Sequence, residues 1–369
     1  MNVKLSSTRG TVARSRCVPV AQNSRQLSMA SSTSAATTSI DDIKIYSEIG
    51  RGAFSVVYKG RLKQSITFVA LKSVERAAEP KVQREVRAMY GLAHANVLRF
   101  HAWYRTANHL WTVSEYCAGG DLRKLLSQDG VLPEPTVMSF GVDALAGLQC
   151  VHRHELLMVD LQPQHLLVDE HGLVKLADFG AALRVGDAAV RDGIAAAPAT
   201  HRPPEAGAGA PLSFASDFWA LGSLLHELIT GRRPFARAAA DEEWEAVRSA
   251  PFEPLERGSA KLNSLLLGLL AKAPHERPKW DELRKYAFWG VELPAAPMPA
   301  QPHYDEWLAA HPPPTTTTRA PSARIAARTR SGWRRRRRRR ARGRAARSPP
   351  ATTIRCSRRR RSRRPRPSR

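Results

Sequence analysis

Between residues 43 and 74 apolar and polar side chains alternate. The stretch "IKIYSEIGRGAFSVVYKGRLKQSITFVALKSV" carries β-branched and aromatic runs broken by glycines. Period-two alternation with such breaks predicts three antiparallel strands. The period then changes. In "EPKVQREVRAMYGLAH" the apolar positions Val82, Val86, Met89 and Leu92 fall at helical spacing, with Pro80 in the early turn where a helix accepts it. From Leu122 onward, helical patterns dominate: "PTVMSFGVDALAGLQCVHRH", "SDFWALGSLLHELITG" and "KLNSLLLGLLAKA". The pattern predicts an α+β protein, a small β-rich part followed by a larger helical part, with no internal repeat. Order is expected from about Asp41. Beyond Trp289 the chain turns Pro-rich ("VELPAAPMPAQPHYDEW", then "HPPPTTTT"), which reads as a linker over 293–318.

Composition changes this picture only at the ends. The 369 residues allow one large domain or two ordinary ones. A net charge of +25 suggests a nucleic-acid binder until it is divided by region. Residues 319–369 hold 23 Arg and neither Lys nor acid, and residues 1–40 hold five basic residues and no acid. That leaves 30 basic against 33 acidic residues in the middle, a net of −3. The folded part is therefore close to neutral. The Arg block repels itself and is expected to be disordered. The head is Ser- and Arg-rich and lacks the apolar core of a secretory signal, so none is expected. It leaves three readings: a disordered extension, an organelle transit peptide, or a start placed ahead of Met29. No apolar run reaches the roughly 18–20 residues of a membrane span. Four scattered cysteines, Cys17, Cys117, Cys150 and Cys356, have no metal spacing and fit a reduced intracellular compartment.

The candidate chemistry starts at "IGRGAFSVVYKG". Gly50 and Gly52 permit a tight strand-to-strand turn whose amides can approach phosphates. Alone, such a turn is far more often an ordinary hairpin. Lys72, closing "VALK" on the third expected strand, would alone be a solvated lysine, but Glu85 on the next helix offers it a partner. The ordered set decides between these readings: "SEYCAGGDL" at 114–122, Asp160, "ADFG" at 177–180, "PPE" at 203–205, "SDFWALG" at 216–222 and "ERP" at 276–278. This order and spacing resemble the protein kinases over about residues 41–292. The connecting segments "HAWYRTANHLWTVSEYCAGGDLRKLL", "LPEPTVMSFGVDAL", "SFASDFWALGSLLHELITGRRPF" and "FWGVELPAAPMPAQPHYDEW" resemble the Fused/RUNKEL family and its unc-51-like pseudokinase relatives.

The resemblance implies a bilobal kinase fold: an N-lobe at 41–114, a hinge at 115–118 and a C-lobe at 119–292, with ATP and Mg as cofactors. It places Gly50 and Gly52 over the phosphates, with Ser55 where a third Gly is usual. Val57 and Ala70 lie above the adenine and Leu167 below it. Lys72 pairs the phosphates and Glu85, while Ser114 guards the back of the pocket. The backbone of Glu115 and Cys117 meets the adenine edge, and Asp121 reaches the ribose. Asp178 holds magnesium and Asp160 is the catalytic base. Asp217 and the Glu205–Arg277 pair are implied to be structural, and Met89, Met158 and Phe179 to form an apolar column between the lobes.

The catalytic stretch departs from the family pattern H-R-D-L-K-P-x-N. It reads Met158, Val159, Asp160, Leu161, Gln162, Pro163, Gln164, His165. His165 replaces the Asn that holds a second magnesium, an ion that prefers oxygen ligands. Gln162 replaces the Lys that neutralises the transferring phosphate. Charge stabilisation dominates phosphoryl transfer, so each loss is expected to cost roughly 10²–10³ in rate. Val159 replaces the Arg that grips a phosphorylated activation loop, and residues 180–199 contain no Ser, Thr or Tyr. Switching by loop phosphorylation is therefore not expected. Pro198 stands at the substrate-side Thr position.

The expected function is an ATP-binding serine/threonine-protein-kinase-like protein with weak or lost phosphotransfer. It would be partly a signalling or cytoskeletal scaffold, and the resemblance implies microtubule- or cilium-linked work in the cytoplasm. The alternative is an ordinary serine/threonine kinase acting on protein substrates. A third reading is nucleic-acid binding, or nuclear targeting, through the Arg tail by counterion release. The tail has no interleaved aromatics beyond Trp333, so base stacking is not indicated. A solvated tail or a frame error in the translated sequence stands beside that reading.

Overall fold

The computed structural model describes residues 39–185, 201–207, 210–237, 239–290 and 292–293. The head before Ser39, most of the 293–318 linker, the Arg tail and Pro198 lie outside the described residues. The first described turn is a short 3-10 helix at Ile40–Asp42, held by Ser39, whose hydroxyl accepts the Asp41 N–H at 3.2 Å. Ile40 is buried in the small lobe, so folding takes in one residue that the sequence reading left in the head.

Three strands follow, β1 (Ile43–Arg51), β2 (Ser55–Leu62) and β3 (Phe68–Glu75), as the alternation predicts. Helix α1 (Glu79–Met89) buries Val82, Glu85, Val86 and Met89 on one face. A hairpin of β4 (Phe100–Arg105) and β5 (His109–Glu115) completes a five-stranded antiparallel sheet in the order β1-β2-β3-β5-β4. Register sets the geometry of the cleft. Val57 lies opposite Lys72, and Ala70 lies opposite Ser114. Cross-strand partners share a face, so Val57, Ala70 and Lys72 project to one side. Val69 and Leu71 alternate to the other, packing with Ile40, Ile43, Tyr104, Trp111 and Val113.

The larger lobe is helical. Its main elements are α2 (Leu122–Asp129), α3 (Glu134–Arg153), α4 (Phe214–Thr230), α5 (Ala240–Ser249) and α6 (Ala260–Leu269). Asp121 caps α2, accepting the Lys124 N–H at 2.8 Å. Helix α4 is apolar on nearly every side and forms the centre of the lobe, and it stops at Gly231, whose φ of 72° suits only glycine well. A Cβ on Gly222 would sit 2.8 Å from the Leu269 Cβ, so α4 and α6 approach closely there. Short strands carry the site: β6 (Gly120–Asp121), β8 (Leu166–Val168) and β9 (Val174–Leu176) form one sheet, and β7 (Leu156–Leu157) pairs with β10 (Leu183–Arg184). No helix among the described residues is long and apolar enough to cross a membrane.

Candidate active site

The β1–β2 turn is closed by the Gly52 N–H donating to the Ser55 carbonyl at 2.9 Å. Neither Gly50 nor Gly52 lies in the left-handed region. What glycine supplies here is the missing Cβ: one added at Gly52 would sit 3.1 Å from the Ser55 hydroxyl. Phe54 stands exposed at the tip. Inside the cleft, Lys72 Nζ donates to Glu85 Oε1 at 2.7 Å and to Asp178 Oδ1 at 3.2 Å. Strand, helix and the 178–180 turn are thus tied at one ammonium. Burial alone would pull the Lys72 pKa down, but the Glu85 and Asp178 carboxylates reverse this and leave it raised. Glu85 is raised because its burial outweighs the lysine beside it.

At the C-terminal end of β5, the Glu115 side chain is partly exposed. It accepts the Arg99 N–H at 2.7 Å and pairs with Lys175 Nζ at 3.2 Å. Lys175, which also donates to the Ala95 carbonyl, braces the hinge from β9 and was not singled out from the sequence. Its signal was a lysine flanked by Val174 and Leu176 in a buried strand. Cys117 is a free thiol that burial pushes up to about 12, so it stays protonated. Leu167 pairs with Asp121 across β6 and β8. Asp121 is already engaged by its cap and by Lys124 Nζ at 3.1 Å.

The catalytic stretch is braced from α4. Asp217 accepts the Met158 N–H at 2.7 Å and the Val159 N–H at 2.9 Å, and it contacts His152 Nε2 at 2.8 Å. The Trp280 indole N–H, which can only donate, reaches His152 Nδ1 at 3.2 Å, so Nε2 carries the proton toward Asp217. Val159 sits at φ 63°, an unfavourable region for a β-branched residue, and the hydrogen bonds that the Met158 and Val159 N–H groups donate to Asp217 hold it there. Met158, Phe179 and Met89 share one buried apolar cluster. Glu205 and Arg277 form a buried two-pronged pair at 2.7 and 2.8 Å, and Ser216 donates to the same carboxylate at 2.7 Å.

Asp160 and its substituted neighbours meet as side chains. Gln162 Nε2 donates to Asp160 Oδ1 at 2.7 Å. His165 Nδ1 lies 2.9 Å from the Asp160 carbonyl and 3.5 Å from Asp160 Oδ2, while its Nε2 lies 3.7 Å from Asp178 Oδ2. Burial raises the Asp160 pKa against His165 and the Gln162 hydrogen bond, which pull it down. Burial would raise Asp178 too, but Lys72 and then His165 overcome it and leave it lowered. Two carboxylates in one cleft are driven in opposite directions, one toward accepting a proton and one toward remaining an anion.

An oxygen-loving cation fits Asp178, whose carboxylate side chain is 42% exposed. The second magnesium position does not fit, because an imidazole nitrogen stands where an amide oxygen is needed.

The family pattern described as the protein kinase domain matches residues 43–289. The serine/threonine-protein kinase RUNKEL of Arabidopsis thaliana is 40% identical over 271 residues, 71% of this chain and 19% of that protein. The serine/threonine-protein kinase ULK4 of Mus musculus is 35% identical over 280 residues, 68% of this chain and 22% of that protein. The inactive serine/threonine-protein kinase PLK5 of Mus musculus is 32% identical over 247 residues, 65% of this chain and 42% of that protein. The chain therefore spans about a fifth of the length of the first two relatives.

Proposed function

The chain belongs to the protein kinase domain family, and from that premise we propose that it is an ATP-binding serine/threonine-kinase-like protein whose phosphotransfer is weak or lost. It acts in part as a signalling or cytoskeletal scaffold, the cytoskeletal partner being inferred from the Fused/RUNKEL likeness alone. One observation carries the reading: the nucleotide side of the cleft is assembled and the phosphotransfer side is not. Lys72 joins Glu85 and Asp178 as an ATP site requires. Asp160, by contrast, has an uncharged amide on one oxygen, and residues 160–165 contain no Lys or Arg. Magnesium, when bound, would neutralise phosphate charge at Asp178. The chain's own residues hold the phosphates through Lys72, stack the adenine between Val57, Ala70 and Leu167, and orient a hydroxyl at Asp160. Residues 160–165 supply no cation beside Asp160, and fixed charge of this kind is most of what such a site supplies. PLK5, one of the relatives, is an inactive kinase, which shows that loss occurs in this family.

A second reading, an ordinary serine/threonine kinase, draws on the retained Asp160 with its raised pKa, which suits a base. Repair separates the two. Gln162→Lys with His165→Asn should raise phosphate transfer to a generic Ser/Thr protein by about 10²-fold or more, and Asp160→Asn should stay inactive in both backgrounds. Robust turnover by the unaltered chain that depends on Asp160 would instead establish the ordinary kinase. No gain on repair would place the block in the substrate loop around Pro198.

A further inference from the structure

The loop that follows α4, residues 231–237, is fixed at three points. The Arg232 carbonyl accepts from His226 Nδ1 and from the Thr230 hydroxyl, both at 2.8 Å. Arg233 donates to both Glu243 oxygens, at 2.6 and 2.8 Å. Phe235 sits at φ 64°, unfavourable for an aromatic residue. It is held there by stacking on Trp219 at 5.7 Å and by Lys272 Nζ, 3.6 Å from its ring centre. A loop so fixed presents its remaining side chains to a ligand at little cost in ordering.

Two of those side chains are uncompensated cations. Arg232 and Arg237 are exposed and have no ion-pair partner among the described residues. The Arg237 guanidinium donates only to the adjacent Ala236 carbonyl. Both arginines border a surface cavity of about 320 Å³ that Pro234, Pro251 and Phe252 also line. Glu253 lines it too, which leaves the lining positive even with Arg233 neutralised by Glu243. Guanidinium groups beside a proline and aromatic wall suit a ligand that is anionic and apolar at once.

The chain itself carries such a segment. Beyond Leu293 its acids are Asp305 and Glu306, flanked by Tyr304 and Trp307. Leu293 is fixed to the larger lobe, its N–H donating to the Arg284 carbonyl at 3.1 Å. Asp305 is 12 residues further on, a reach of at most about 40–43 Å. A lobe of roughly 170 residues has a radius of gyration of about 16 Å and a diameter of about 40 Å, so that reach spans it. The Arg tail, without an acid, is repelled by the cavity. An acidic peptide from another protein must compete with a tethered segment at roughly millimolar effective concentration.

We propose that residues 303–308, "HYDEWL", dock in this cavity, with Asp305 and Glu306 on Arg232 and Arg237 and the Trp307 ring against Pro251 and Phe252. The docked segment closes this face of the lobe to acidic partners until it is displaced. Docking is independent of the ATP-binding reading above.

The test uses the full chain with benzoylphenylalanine in place of Leu308, irradiated and mapped by mass spectrometry. Crosslinks should fall within residues 226–237 or 250–253 of the same chain. Arg232→Glu with Arg237→Glu should reduce them by about fivefold or more, as losing two exposed ion pairs requires. Adding Asp305→Lys with Glu306→Lys to that variant should restore them, because the charges are then exchanged. The two lysine changes alone should give the same loss, which keeps the test sound if the loop variant folds poorly. Crosslinks confined to the Arg tail or to other regions, or crosslinks to the loop that neither reversal weakens, would overturn the proposal. Crosslinked dimers that fade on dilution would overturn it as well, giving the cavity to the segment of a second copy.

Discussion

Asp160 pays an electrostatic cost for its position. Burial raises its pKa, so at neutral pH the folded chain holds an anion less comfortably than the unfolded chain does. The sign follows from linkage. A raised carboxylate destabilises above its folded pKa, and the penalty fades as pH falls toward the unfolded value of about 3.9. Asp160→Asn should therefore raise the Tm at pH 7.5, and the gain should vanish at pH below about 3.9. A lower Tm at pH 7.5 would show that Asp160 is held by more favourable contacts than those from Gln162 and His165. The identities of Gln162 and His165 were legible in the sequence because each stands at a numbered place in a motif. Their roles as partners of Asp160 were not, since a hydrogen bond depends on rotamers that a motif leaves open.

Elements in the larger lobe are fastened by pairs far apart in the chain. Glu205 and Arg277 are separated by 72 residues, yet their side chains meet almost without exposure. They join the helical turn Pro204–Gly207 to the segment after α6, and Arg277 also donates to the carbonyls of Ala215, Ala271 and Lys272. Arg277→Met strands a buried carboxylate and should cost about 3–5 kcal/mol of stability, read by urea denaturation. Replacing Glu205 with Gln in the same chain should recover a good part, because the stranded charge is then gone. No recovery would mean that the arginine acts mainly through the carbonyls it satisfies. Both residues were picked out from "PPE" and "ERP". Lys175 was missed because a lone lysine in a short strand carries no motif, and its worth comes from Glu115 and Ala95 arriving from elsewhere.

At the scale of the whole molecule, a near-neutral folded part is flanked by ends of strongly positive sequence. The two should act independently. ATP at about 100 times its Kd should stabilise the chain by about 2.7 kcal/mol, and Lys72→Met should remove most of that. Ending the chain after residue 318 should leave the ATP effect unchanged. The same truncation should abolish binding to a nucleic-acid duplex, binding that in the full chain weakens steeply between 50 and 200 mM salt, as counterion release requires. A truncated chain that still binds the duplex would move the basic surface to the head or into the kinase domain, and a second truncation before Ser39 separates those two.

The sequence by itself determined the family, the fold class and the succession from a β-rich part to a helical part. Periodicity acts over one strand or one helix, and motif order is a property of the chain alone. The β4–β5 hairpin, helix α5 and the short strands beneath the cleft were not read individually, being too short or too weakly periodic to stand out. Only the tertiary structure decided which side chains touch. Lys72 meets Asp178 across 106 residues, and Asp217 reaches the Met158 and Val159 amides across 59 and 58. Such distances are set by how lobes, sheets and helices pack. The same packing turned His165 from a missing asparagine into an imidazole held between two aspartates.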